Sequence, residues 1–165
     1  VLSRRQRQMC IRDRFKSPEK PSSFDIEGQC HYFNFSFGQV FWLGPHEWLI
    51  STNNDPREIA AYFKDNVSNE IALSDVTDGY CELSLEGESL LKILKQGMTC
   101  DLRDFNLEED TESNKCVQTN FAKMPVVFWK NSKLSVNLLV RRSYADYLID
   151  WLLEIGSEDG CEILS

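Results

Sequence analysis

The chain has 165 residues, of which 42% are hydrophobic and 12% aromatic, and its formal net charge is −8 at pH 7. That length suits one domain able to bury roughly two thirds of its unfolded surface, and the composition excludes global disorder. No apolar run approaches the ~20 residues that a membrane-spanning helix needs, and the acid excess argues against a nucleic-acid partner, since little here would displace counterions from a phosphate backbone.

Residues 1–14 (VLSRRQRQMCIRDR) differ from the remainder: five arginines against one aspartate leave the rest of the chain at −12. A nucleic-acid arm, a membrane-surface helix or an import leader is conceivable. The string also resembles translated sequencing-adapter read-through, so it is set aside as a non-native leader. Residues 15–30, rich in Pro, Ser and charge, read as linker. Phe33, Phe35 and Phe37 then alternate with polar residues, and Val40-Phe41-Trp42-Leu43 follows as a second strand. Gly44-Pro45-His46-Glu47 is a turn before Trp48-Leu49-Ile50. His46 beside Glu47 has no nucleophile near it in sequence, so a turn hydrogen bond is the favoured role. Asp55 caps a helix begun by Pro56, with Ile59, Ala60, Phe63 and Val67 on its buried side.

The stretch from Asp75 to Asp101 organises the chain. Asp78-Gly79 suits a tight hairpin. In Tyr80–Glu86 the residues Cys81, Leu83 and Leu85 share one strand face, while Glu82, Ser84 and Glu86 share the other. Leu90, Leu91 and Leu94 give a short helix, and Gly97 suits its C′ position. Asp75, Asp78 and Asp101 invite a metal or carboxylate pair, yet each stands where a turn or cap residue belongs. Residues 103–115 are acidic and aperiodic, hence a solvated loop. Cys116–Phe121, Val126–Trp129 and Leu134–Val140 read as strands around a hairpin loop at Lys130–Lys133. Ser143 caps a last helix striped by Tyr144, Tyr147, Leu148, Trp151 and Leu152, and an acidic tail from Gly156 frays.

The cysteines Cys10, Cys30, Cys81, Cys100, Cys116 and Cys161 show no Cys-x-x-Cys pair, which suits free thiols better than a zinc site or disulfide scaffold. A nucleophile at Cys116 lacks a histidine in sequence range. Arg141 and Arg142, at a strand-to-helix junction, could meet an anionic ligand or a partner's carboxylates. No catalytic, cofactor-binding or metal residue is assigned.

Three stretches in order carry a family resemblance: Trp42-Leu43-Gly44-Pro45-His46-Glu47-Trp48-Leu49, then Val76-Thr77-Asp78-Gly79 through Leu83-Ser84-Leu85 to Asp101-Leu102, then Leu139-Val140-Arg141-Arg142-Ser143-Tyr144 with Trp151-Leu152. With Cys116–Thr119 and Pro125–Trp129, they resemble the gamma subunit of heterotetrameric sarcosine oxidase over residues 38–153. The resemblance implies a cytoplasmic bacterial complex that demethylates sarcosine oxidatively to glycine, with electrons passing to oxygen and the one-carbon unit to tetrahydrofolate. It implies alpha, beta and delta subunits as partners, and places NAD, FAD, FMN, folate and zinc on those subunits. The expected fold is α+β, an antiparallel or mixed sheet with helices on one side, similar to the folate-binding domain of aminomethyltransferases, with Greek-key or ferredoxin-like connections and a truncated N-terminal part. Residues 31–155 would form a single such domain, and the truncation would expose an apolar face around Phe33, Phe35 and Trp42. A related N-methylglutamate dehydrogenase subunit and a stand-alone folate-binding module are the alternatives.

Overall fold

The computed structural model describes residues 7–13, 31–44, 47–66, 71–111 and 113–163. They fall into two compact units divided at Asp78, where the sequence suggested one continuous domain over residues 31–155. The fold is α+β, as expected, but with two antiparallel sheets in place of one.

The first unit is a five-stranded sheet built from β1 (Arg7–Asp13), β2 (Tyr32–Phe35), β3 (Gly38–Gly44), β4 (Glu47–Thr52) and β5 (Ile71–Asp75), with α1 (Pro56–Asn66) preceding β5. The spatial order is β2-β3-β4-β1-β5. Residues 7–13, set aside above with the leader, therefore supply an inner strand: Met9 is paired with Ile50 of β4 and with Asp75 of β5. Local reading missed it because this inner strand draws its hydrogen bonds from partners 35 or more residues away in sequence, which no local signal announces.

The β2–β3 hairpin turns at Ser36-Phe37 into Gly38, whose φ is +145°. A Cβ there would lie 2.1 Å from the Ser51 carbonyl oxygen, so only glycine lets β4 pass so close. Thr52 Oγ1 donates to the Phe37 carbonyl and fastens the same corner. Val40 and Ile50, directly paired, meet Ile59 and Phe63 of α1 and Phe37 in a small core. Of the apolar face foreseen as exposed, Phe35 packs against this core. Phe35 stacks on Phe37 at 5.4 Å, Trp42 is half-buried, and the Phe33 side chain lies outside the described residues. Phe41 and Leu49, of opposite parity to Val40 and Ile50, are buried as well, so this strand pair is apolar on both faces and reads as a continuous run. Asp55 caps α1 as expected, its Oδ1 accepting from the Arg57 N–H at 2.8 Å; Val67 lies outside the described residues.

Asp78-Gly79 does not make a hairpin. Asp75 Oδ1 accepts from both the N–H and the Oγ1 of Thr77, which closes a side-chain turn. Thr77–Gly79 then forms a 3₁₀ turn with no positive φ. The strands on either side belong to different sheets.

The second unit holds β6 (Tyr80–Glu86), α2 (Leu90–Gly97), β7 (Cys116–Phe121), β8 (Met124–Ser132), β9 (Ser135–Arg141) and α3 (Arg142–Ile155). Its order β6-β9-β8-β7 puts the first strand beside the last, a Greek key. One face of this sheet packs with α2 and α3 around Leu83, Leu94, Phe121, Phe128, Leu138 and Leu148. Gly97 serves here through close approach, not through its φ. It ends α2 directly under Trp151 and Phe121, where a Cβ would sit 2.7 Å from the indole.

Three expectations for this unit need correction. The α3 cap is the Arg141 backbone, with no side-chain cap bond, so Ser143 falls inside the first turn. The buried stripe is Ala145, Leu148 and Leu152, while Tyr144 and Tyr147 are 38% and 46% exposed; spacing of three and four fits both registers, and tyrosine at the rim keeps its hydroxyl wet. The tail is also ordered through residue 163. The Cys161 N–H donates to the Gly156 carbonyl at 3.0 Å, and Asp159 accepts from Lys92 Nζ at 2.7 Å and Ser89 Oγ at 3.0 Å.

Candidate functional site

The three aspartates singled out in the sequence stand apart in structural roles. Asp75 closes the turn just described. Asp101 caps the 3₁₀ turn Leu102–Phe105, accepting from the Arg103 N–H, and binds the Arg103 guanidinium through both oxygens. Those bonds hold its carboxyl down at about 2. Asp78 is exposed and lies 3.7 Å from the Arg142 guanidinium. Among the described residues no three His, Cys, Asp or Glu side chains gather as a metal site.

Arg141 ends β9 and Arg142 begins α3, both exposed. Adjacent residues at a strand-to-helix junction point in different directions, and the pair presents cations at the rim of the sheet. Cys116 is 1% exposed, which keeps its thiol from solvent-borne substrates. His46 lies outside the described residues.

Lys130 is the residue that local reading placed wrongly. It was expected in a hairpin loop, but it lies inside β8 and is 2% exposed. Its Nζ donates to the carbonyls of Asn106, Glu109 and Thr111 at 2.8, 2.7 and 2.9 Å. Three donors meet three acceptors, which is what a buried lysine without a carboxylate requires. The acidic segment after Leu102 is thus no free loop. Phe105 and Leu107 insert into the core, and Lys130 gathers the backbone between them and residue 111.

An open groove of about 470 Å³ runs between α2, α3 and the β7–β8 hairpin, lined by Gln96, Thr99, Asn120, Lys123, Tyr147 and Trp151. The hairpin turn places Ala122 and Lys123 at φ 49° and 69°, a conformation usually left to Asn or Gly. That absence of Gly is why the turn was not legible. Tyr and Trp side by side with amides and one cation make a surface suited to protein contact.

On the sheet face opposite the helices, Asn137 Nδ2 donates to Glu82 Oε1 at 3.1 Å. Glu82 Oε2 and Asn137 Oδ1 are both buried without a hydrogen-bond partner, and burial pushes the Glu82 carboxyl up, against the opposing pull of the Asn137 bond.

The family model described as "Sarcosine oxidase, gamma subunit family" matches residues 34–158. The chain belongs to this family. It is 26% identical over 121 residues to sarcosine oxidase subunit gamma of Corynebacterium sp. strain U-96, covering 72% of this chain and 56% of that one. It is 28% identical over 126 residues to the subunit of strain P-1, covering 74% and 59%. This chain thus spans under two thirds of the length of these curated relatives. A chain of the heterotetrameric sarcosine oxidase from Corynebacterium sp. U-96, solved with pyrrole 2-carboxylate, superposes with a TM-score of 0.75 at 20% identity, covering 97% of this chain and 84% of its own. That likeness establishes the shared fold.

The gamma-family stretch runs from the end of β2 past α3 to residue 158 and leaves β1 outside. The motifs that carried the resemblance fall at structural joints: the β3–β4 connection, the turn between the two units, and the β9–α3 junction. Among the described residues of those motifs, Asp101 caps a 3₁₀ turn and Leu83, Val140 and Leu152 are core.

Proposed function

We propose that this chain is the gamma subunit of a heterotetrameric sarcosine oxidase, an accessory subunit that docks on the alpha, beta and delta chains of a cytoplasmic complex. Sarcosine is demethylated to glycine on those neighbours, which carry the flavins, NAD, folate and zinc, and this chain supplies fold and docking surface. The family match over residues 34–158 carries the reading. It is supported by the way the chemically suggestive residues are engaged: Asp75 and Asp101 in caps, Lys130 in a carbonyl clamp, and Cys116 in the interior. Arg141 and Arg142 are proposed as partner contacts, since exposed guanidiniums at a junction suit carboxylates on another chain.

Co-expression of the tagged chain with the other three subunits tests this. Expected is copurification of a flavin-containing complex that consumes oxygen when given sarcosine, while the isolated chain does not. Sarcosine turnover by the chain alone, or its failure to copurify, would overturn the proposal.

A further inference from the structure

The pair Glu82–Asn137 is a half-buried ionisable pair that the accessory role leaves unused. Its geometry is incomplete as an ionised pair. Asn137 gives one N–H to Oε1, and two acceptors remain, Glu82 Oε2 and Asn137 Oδ1, each shut off from solvent and each lacking a donor. A buried acceptor without a donor is costly, and two on one side-chain pair are rarer still. One proton on Oε2 supplies the missing donor: the carboxylic acid and the amide then form a ring of two hydrogen bonds, Nδ2–H to Oε1 and Oε2–H to Oδ1. We propose that Glu82, protonated, closes onto the Asn137 amide, and that this acid–amide ring, opened when Glu82 ionises, is a pH-sensitive lock on the β6–β9 strand pair.

The register supports this. Ser84 is the direct partner of Asn137 and Leu139 that of Glu82, so the two side chains meet diagonally across β6 and β9. Charged and titratable groups on the neighbouring strands of this unit do not stand in the way. Tyr80 and the exposed Arg141 are paired on the same face at the end of β6 and β9, Glu86 is at the exposed end of β6, Cys116 is on β7, and Lys130 is turned to the helix-side face, where carbonyls hold it. No charge figures among the causes of the upward displacement of the Glu82 carboxyl; burial leads them.

The sign follows from that direction. In the unfolded chain the carboxyl ionises near its ordinary value of 4.5, whereas in the fold it holds its proton to higher pH. The lock is therefore at full strength below about 4.5 and weakens as pH rises, by up to about tenfold in the folding equilibrium constant per pH unit, until the folded-state carboxyl ionises.

The test compares the wild-type chain with Glu82→Gln, whose amide makes the same two-bond ring at every pH. Urea denaturation across pH 5–8 is expected to show wild type losing stability relative to E82Q as pH rises. Infrared difference spectra recorded against pH are expected to show a protonated carboxyl band that persists to higher pH in wild type than in E82Q and that Asn137→Leu shifts. Parallel stability curves for wild type and E82Q, or carboxyl bands that vanish at the same pH in both, would overturn the proposal. Where E82Q fails to fold, the shift of the wild-type band in Asn137→Leu decides.

Discussion

At Lys130 a charged side chain sits in the middle of an apolar strand because three backbone carbonyls close around its Nζ. Lysine's flexible stem and three donors suit that role. Lys130→Met keeps the apolar stem and removes the donors, leaving the carbonyls of Asn106, Glu109 and Thr111 to find others. The expected loss is about 1–3 kcal/mol in urea denaturation, accompanied by faster proteolysis within residues 106–111. An unchanged midpoint and cleavage rate would show that the segment is held by Phe105 and Leu107 alone. The sequence carried no sign of this arrangement, since a lysine between Trp129 and Asn131 reads as the start of a turn. Asp101, in contrast, was legible as a cap, because the bonds it makes run to Arg103, two residues on.

Among the elements, α3 shows how far periodicity reaches. A helix over these residues was evident, but the choice between a stripe on Tyr144 and Tyr147 and one on Ala145 depended on what α3 packs against. Leu148 and Leu152, both buried, belong to both stripes. The registers separate in mutants: Ala145→Leu is expected to cost about 1–3 kcal/mol by overpacking, and Tyr144→Ala to stay within about 0.5 kcal/mol of wild type. Chemical denaturation reads both. The tail latch is electrostatic, and both ends carry the sign of it: the Lys92 and Ser89 bonds draw the Asp159 carboxyl below its ordinary 3.8. That contribution is present above pH 3.8 and is lost as pH falls below it. Asp159→Asn at neutral pH is expected to raise amide exchange at Asp159 and Cys161 without changing exchange in β8, and exchange that stays slow would show the latch to be redundant.

For the whole molecule the question is which surface meets other chains. Charge reversal at Arg141→Glu and Arg142→Glu is expected to abolish copurification with the other subunits while leaving far-UV dichroism and Tm near wild type, because the Arg142–Asp78 pair is exposed and such pairs contribute about 0–1 kcal/mol. Copurification at wild-type level would move the contact elsewhere, with the groove at Tyr147 and Trp151 next in line.

What the amino-acid order determined by itself was everything that short-range periodicity and turn chemistry encode: the Phe33–Leu43 hairpin, the Asp55 cap, the two faces of β6, the three strands from Cys116 to Val140, and enough ordered motifs to name a family. Tertiary structure alone decided that residues 7–13 pair between β4 and β5, that two sheets form where one was expected, that Gly97 serves a close approach, and that Lys130 is an interior residue. The reason is physical. A strand's alternation or a helix's stripe is written within a few residues, whereas the partner that completes a hydrogen bond or fills a face is contributed from elsewhere in the chain and exists only once the fold has formed.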